Sequence, residues 1–211
     1  ESIMEPQYSI DFRSRFHPDH IADLAKSGLE EKTIMLAGIK TVPPGEIDRR
    51  LGWHQPQVES AMSIPYGKTG FERSRIFPAF IDKSGHKIKY LQRKNSGVHL
   101  YVPPCINDSL HNSAVPLYIT EGEKKALRGA QEGLCCVALG GVWNWKESDG
   151  LLGELKRLPM VDRPIYIVFD SDFTTNESVL MATFRFGREL EKLGAKVKII
   201  LLPSGTEKVG L

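Results

Sequence analysis

The chain has 211 residues, 41% hydrophobic and 26% charged, with a net charge of +2 and three cysteines. That length holds one large or two small domains, and the balance is ordinary for a soluble globular protein. No apolar run approaches the ~18 residues of a membrane span, and Glu1–Pro6 has neither the basic nor the apolar part of a signal peptide. The cysteines are Cys105, Cys135 and Cys136, an odd number with no CxxC spacing. They argue against a disulfide framework and a zinc ribbon, and fit buried thiols in a reducing cytoplasm.

Residues 1–60 read as helical and turn-rich. Pro18 suits a first helical position, Ile21, Leu24 and Ala25 share a face, and Gly28 suits the helix end. His17 and His20 have the spacing of a weak metal pair, but no further ligands lie nearby, and an ordinary surface helix start is expected. Short helices over 30–36 and 46–51 follow, separated by Gly38 and Pro43-Pro44-Gly45.

From 61 to 103, β-type runs at 62–66, 74–81, 88–92 and 98–102 alternate with turns, and Asp82-Lys83-Ser84-Gly85 reads as a hairpin connection. A small antiparallel sheet is expected. Residues 66–101 carry eight Lys/Arg (Lys68, Arg73, Arg75, Lys83, Lys87, Lys89, Arg93, Lys94) against the acids Glu72 and Asp82. This local surplus points modestly to nucleic acid. Tyr66, Phe71, Phe77, Phe80 and Tyr90 either stack bases beside these cations or form the core of the sheet. Residues 103–113 are polar and broken and read as a linker.

Residues 114–203 alternate strand and helix: strand 116–120, helix 123–132, strand 134–139, helix 148–157, strand 164–169, helix 177–193, strand 196–202. This pattern predicts a mainly parallel α/β sheet with helices on both faces, preceded by a small α+β region. The expected domains are 1–112, a helical and basic antiparallel-β region for nucleic-acid contact, and 113–211, a catalytic domain. Gly133 and Gly194 fall where left-handed helix ends are needed.

Two apolar strands stop at acids. The first runs Leu117-Tyr118-Ile119-Thr120-Glu121, followed by Gly122-Glu123-Lys124-Lys125; the second runs Ile165-Tyr166-Ile167-Val168-Phe169-Asp170-Ser171-Asp172. In an open parallel sheet, strand carboxyl ends line the ligand crevice. Side by side, these strands gather Glu121, Asp170 and Asp172, and such like charges favour a shared cation. Oxygen ligands of this hard type suit Mg²⁺ or Mn²⁺ and work on phosphates. The plain alternatives are a helix-start acid at Glu121 and a solvated loop at 170–172. Lys124 and Lys125 either reach a phosphate or pair on the helix surface, and Lys146 and Arg185 are weaker choices of the same type. Glu123 reads as a first-turn charge or a supporting acid. Gly122 and Gly140-Gly141 form tight turns that also permit close approach of a phosphate. Trp143 and Trp145 either contact a base or pack at the sheet edge.

The ordered set Ile119-Thr120-Glu121-Gly122-Glu123-Lys124-Lys125-Ala126, Ala138-Leu139-Gly140-Gly141 and Phe169-Asp170-Ser171-Asp172 resembles the Toprim domain. That domain is shared by DnaG-type primases, topoisomerases, OLD-family nucleases, RNA-maturing nucleases and RecR proteins. The resemblance covers about 114–203. It implies a Rossmann-like fold, a catalytic Glu at Glu121, and an Asp-x-Asp metal site at Asp170 and Asp172. Upstream, Leu24–Leu29, Ile64–Gly70 and Lys89–Arg93 look like the region preceding this domain in primase-like proteins of plasmids, phages and mobile elements. In such proteins a domain of unknown function is often assigned across both halves, and a helicase or other replication module commonly follows.

The expected function is therefore a primase-like DNA replication protein, or part of a longer one, performing Mg²⁺- or Mn²⁺-dependent nucleotidyl transfer in the cytoplasm. Its partners would be single-stranded DNA, nucleotides and a helicase module, and no membrane. Phosphate or nucleic-acid contacts are expected from Lys124, Lys125, Arg73, Arg75, Lys87, Lys89, Arg93 and Lys94. A Toprim-type nuclease and a non-catalytic nucleic-acid module attached to a helicase are the alternatives.

Overall fold

The computed structural model describes residues 7–67, 69–148, 150–170 and 177–202. Asp172 and Lys68 therefore lie outside the described residues. The chain divides into two compact units, 1–97 and 98–211.

The first unit begins with helices α1 (Ile10–Ser14), α2 (Pro18–Lys26) and α3 (Glu31–Leu36), and a fourth, α4 (Ile47–Leu51), follows strand β1 (Lys40–Val42). Pro18 is the first residue of α2, where its missing N–H costs nothing. Gly28, at φ 65°, turns the chain after that helix. Strand β1 joins β2 (Ser60–Pro65), β3 (Glu72–Ile81) and β4 (Lys87–Gln92) in an antiparallel sheet of order β1-β2-β3-β4. Val42, Ile47, Leu51, Ala61 and Ile76 form the core between α4 and one sheet face. β1 carries no apolar alternation of its own, and it pairs because β2 presents an edge.

The expected surface helix start at His17 and His20 is corrected at His20. That ring is fully buried, bonded through Nδ1 to Thr41 Oγ1 at 2.8 Å and through Nε2 to Ser60 Oγ at 3.1 Å. Its partners come from β1 and β2, which sequence proximity could not reveal.

The second unit holds a four-stranded parallel sheet of β5 (Leu117–Glu121), β6 (Cys136–Leu139), β9 (Pro164–Val168) and β10 (Lys196–Ile199), in the order β10-β9-β5-β6. Helix α6 (Glu123–Gln131) links β5 to β6, and α8 (Glu177–Lys192) links β9 to β10. From β5 the chain moves to one side, and from β6 it returns past β5 to β9 and then β10. Right-handed crossovers then put α6 on one face and α8 on the other. Leu117, Ile119, Val137, Leu139, Ile165 and Ile167 form the face under Phe186 and Leu190 of α8. Gly133 and Gly194 adopt φ of 84° and 85°, the left-handed ends expected for α6 and α8. Cys135 and Cys136 are buried, and burial pushes the Cys136 thiol up to about 12.

Three segments differ from expectation. Residues 98–102 do not extend the antiparallel sheet: Tyr101 instead forms an antiparallel bridge to Ala138 beside β6. The expected linker at 103–113 contains a 3₁₀ turn (Pro104–Ile106) and helix α5 (Asn107–Leu110), with Ile106 and Leu110 in the core. The boundary between units thus falls after Gly97 rather than at 112. The helix expected over 148–157 is a hairpin of β7 (Lys146–Glu147) and β8 (Gly150–Leu151) followed by α7 (Gly153–Lys156). Gly150, at φ 116°, is incompatible with a helix and permits the reversal.

Candidate active site

β5 and β9 are hydrogen-bonded neighbours, in register from Leu117↔Ile165 to Thr120↔Val168. The two strands run parallel, and the order in which strands are added to the sheet reverses between them, so their carboxyl ends flank the topological switch point where open α/β sheets bind ligands. Glu121 is the last residue of β5 and Asp170 lies two residues past β9. Adjacent strands run ~4.8 Å apart, and both acids therefore emerge at one end of the sheet.

Strand alternation aims Glu121 with Leu139 and Phe169, and aims Asp170 with Thr120 and Val168. The α6 side is where Asp170 finds its partner: Lys125 Nζ donates to Asp170 Oδ1. The Asp170 side chain is 13% exposed and that of Lys125 28%, so this cation neutralises a largely sheltered carboxylate. Among the described residues, no three His, Cys, Asp or Glu side chains converge into a metal-sized group. The expected third member, Asp172, lies outside them.

The turn from β5 into α6 depends on Gly122, at φ 93° and ψ 136°, a conformation that residues with side chains rarely adopt. Its N–H donates to Leu139 O at 2.9 Å, fixing the turn to β6. Glu123, the first residue of α6, is fully buried. Tyr101, also fully buried, is brought to this turn by its bridge to Ala138. Burial, and then the Glu123 charge, push the Tyr101 hydroxyl up. Tyr101 was missed because its run reads as one more strand of the antiparallel sheet.

The aromatic residues after β6 are ordered. Trp143, Trp145 and Phe186 stack at centroid distances of 6.4 and 5.7 Å, and Phe186 stacks on Phe169 at 6.5 Å. Trp145 is buried and Trp143 half-buried, so the packing expectation holds for the former.

The basic residues of the first unit fall into two groups. Arg75 is committed to the fold. Its Nη2 lies 3.1 Å from Asp23 Oδ1, it donates to Ile76 O and Lys89 O, and its guanidinium lies 4.6 Å from the Phe77 centroid. Arg73 lies 5.0 Å from the Tyr90 ring. Lys87, Lys89, Arg93 and Lys94 are exposed. Tyr66 and Phe71 are buried against each other, edge to face at 4.7 Å, as core rather than stacking surface. Lys124 lies on α6 beside Lys125. Arg185 lies on α8 and is exposed.

Residues 107–210 match the family described as Domain of unknown function (DUF3854). No curated protein shows significant sequence similarity to this chain. The fold is that of DNA primase catalytic cores. It is similar to the Aquifex aeolicus primase (zinc-binding and RNA polymerase domains), with a TM-score of 0.62, 16% identity, and coverage of 90% of this chain and 51% of that one. It is also similar to the DnaG catalytic core, with a TM-score of 0.61, 19% identity, and coverage of 90% and 66%. This chain thus spans about half of the first protein and just under two thirds of the second. Among the described residues, no helix is long and apolar enough to cross a membrane.

Proposed function

We infer that this chain is the catalytic part of a primase-type nucleotidyltransferase. The observation that carries this reading is the placement of Glu121 and Asp170 at the carboxyl ends of the paired strands β5 and β9, beside the switch point of a primase-like fold.

The donor set fits a hard divalent cation. Asp170 and Glu121 offer only oxygen, and the Asp170 carboxylate already accommodates a positive charge, that of Lys125. Asp170 and Asp172 are the proposed holders of Mg²⁺ or Mn²⁺, and Glu121, which leaves the same sheet end from the other face, is proposed to reach the ion from across the strand ends. When bound, the ion would polarise a phosphoryl oxygen of the nucleotide. Glu121 accepts the proton of the attacking hydroxyl. Lys125, exchanging Asp170 for substrate, and Lys124 bind phosphate oxygens. Buried Glu123 and the Gly122 turn hold Glu121 in place. The exposed cations Lys87, Lys89, Arg93 and Lys94 bind the template backbone, while Arg75 serves the fold.

Incubation with Mg²⁺ or Mn²⁺, single-stranded DNA and labelled NTPs or dNTPs tests the reading. New oligonucleotides are expected. Metal-dependent shortening of the DNA without synthesis would replace it with nuclease chemistry.

A further inference from the structure

Trp143 and Lys146 form a site that the reaction above leaves unused. Both follow β6, the strand that pairs with β5 through Glu121↔Leu139. Trp143 packs against the core and stacks on Trp145. Its Nε1 donates to Ser178 Oγ at 3.3 Å, which fixes the plane of the indole. The ring remains partly exposed, and Lys146 Nζ, on an exposed side chain, lies 4.9 Å from its centroid and 5.9 Å from that of Trp145.

The hairpin holds this lysine by its backbone. Lys146 pairs with Leu151, which is buried, and Leu152 N donates to Trp145 O at 2.8 Å. Successive strand residues point oppositely. The Glu147 carboxylate accordingly turns toward Gly153, where the Arg157 guanidinium also lies. The acid is thereby directed away from the tryptophan, and the cation toward it.

A fixed indole with an exposed ammonium over its face suits a flat ring carrying a negative charge. We propose that Trp143 and Lys146 bind a nucleobase and its phosphate. The base stacks on Trp143 in place of the ammonium, and Lys146 swings to the phosphate. Stacking on an aromatic side chain tolerates any base, so the site takes single-stranded nucleic acid or a nucleotide without sequence preference. This proposal rests on the nucleotidyl-transfer reading for its ligand class, but not for its test.

Binding of a fluorescent oligothymidylate, measured by anisotropy in EDTA, separates the two. Trp143→Ala is expected to weaken binding about tenfold, and Trp143→Phe, which keeps a ring, much less. Lys146→Ala is expected to flatten the dependence of log K on log salt by about 0.7. Competition with unlabelled NTP distinguishes the ligands. Displacement from wild type but not from Trp143→Ala assigns the site to the nucleotide, and no displacement assigns it to the strand. Wild-type affinity in both Trp143→Ala and Lys146→Ala, or no oligonucleotide binding by wild type, would overturn the proposal. Loss of turnover in Asp170→Asn with this binding intact leaves the platform standing. Absence of turnover in wild type, with the same binding intact, would refute only the reaction.

Discussion

At the scale of single residues, burial decides what an ionisable group does. Glu123 and His20 are both fully buried, yet only Glu123 adjoins the acidic strand ends. Burial, helped by neighbouring His17, pushes the His20 pKa down to about 4. Asp19 and Asp23 oppose this shift, and Arg75 adds to it. Below pH 6.5 the unfolded chain takes up a proton that the folded imidazole refuses until about pH 4. Stability therefore falls as pH drops through that window, by at most about 3 kcal/mol from this group. Urea unfolding of wild type and His20→Leu between pH 7 and 4 checks this. The wild-type decline should be steeper, and equal slopes would remove His20 as the cause.

At the scale of elements, two backbone devices hold the proposed site. A Cβ at Gly122 meets nothing within 4 Å, so Gly122→Ala is opposed by its positive φ rather than by crowding. A loss of about 1–3 kcal/mol is expected in denaturant unfolding. Arg163, fully buried just before β9, is the second device. Its guanidinium donates to Val115 O at 2.9 Å, Leu110 O at 2.6 Å and Ser109 O at 3.2 Å. Two of these are last-turn carbonyls of α5, of which Ser109 O also accepts from Asn112 N at 3.2 Å. The interaction fastens 107–115 to the parallel sheet. Arg163→Met removes the guanidinium donors to Val115 O and Leu110 O and should lower stability by about 2–4 kcal/mol, measurable as a shift of the urea midpoint. An unchanged midpoint would show that water satisfies them equally well.

The same elements show what the sequence made legible. Apolar β-branched runs ending at Glu121 and before Asp170 located β5 and β9 within a residue or so, because buried parallel strands show little else. Gly133 and Gly194 marked helix ends because few other residues adopt their φ. The hairpin at 146–151 was hidden: its helical-looking composition is overridden by Gly150 and by pairing with its own neighbours. Tyr101 and Arg163 were hidden because their partners are backbone atoms distant in the chain. Arg75 looked like a nucleic-acid contact by composition, and only Asp23, 52 residues away, reveals its structural task.

At the scale of the whole molecule, the division after Gly97 separates a basic antiparallel unit from the α/β unit bearing the acids. Arg93 and Lys94, just before that boundary, are exposed, and Asn95 and Gly97 have positive φ. Exposed junctions with such turns are favoured sites of proteolysis. Brief trypsin treatment is expected to cut after Arg93 or Lys94 and yield two protected fragments, seen by intact mass. Early cutting after Lys124 or Lys125 within α6, ahead of the junction, would contradict the division.

The acids ending β5 and following β9 are proposed to form a catalytic metal centre. The decisive measurement is the rate of nucleotide incorporation on single-stranded DNA as Mn²⁺ is raised, for wild type and Asp170→Asn. Metal-dependent incorporation by wild type and a loss of ~10³-fold in the variant are expected, since metal assistance supplies several kcal/mol of transition-state stabilisation. Equal rates at saturating metal in a folded variant would contradict this role for the acids.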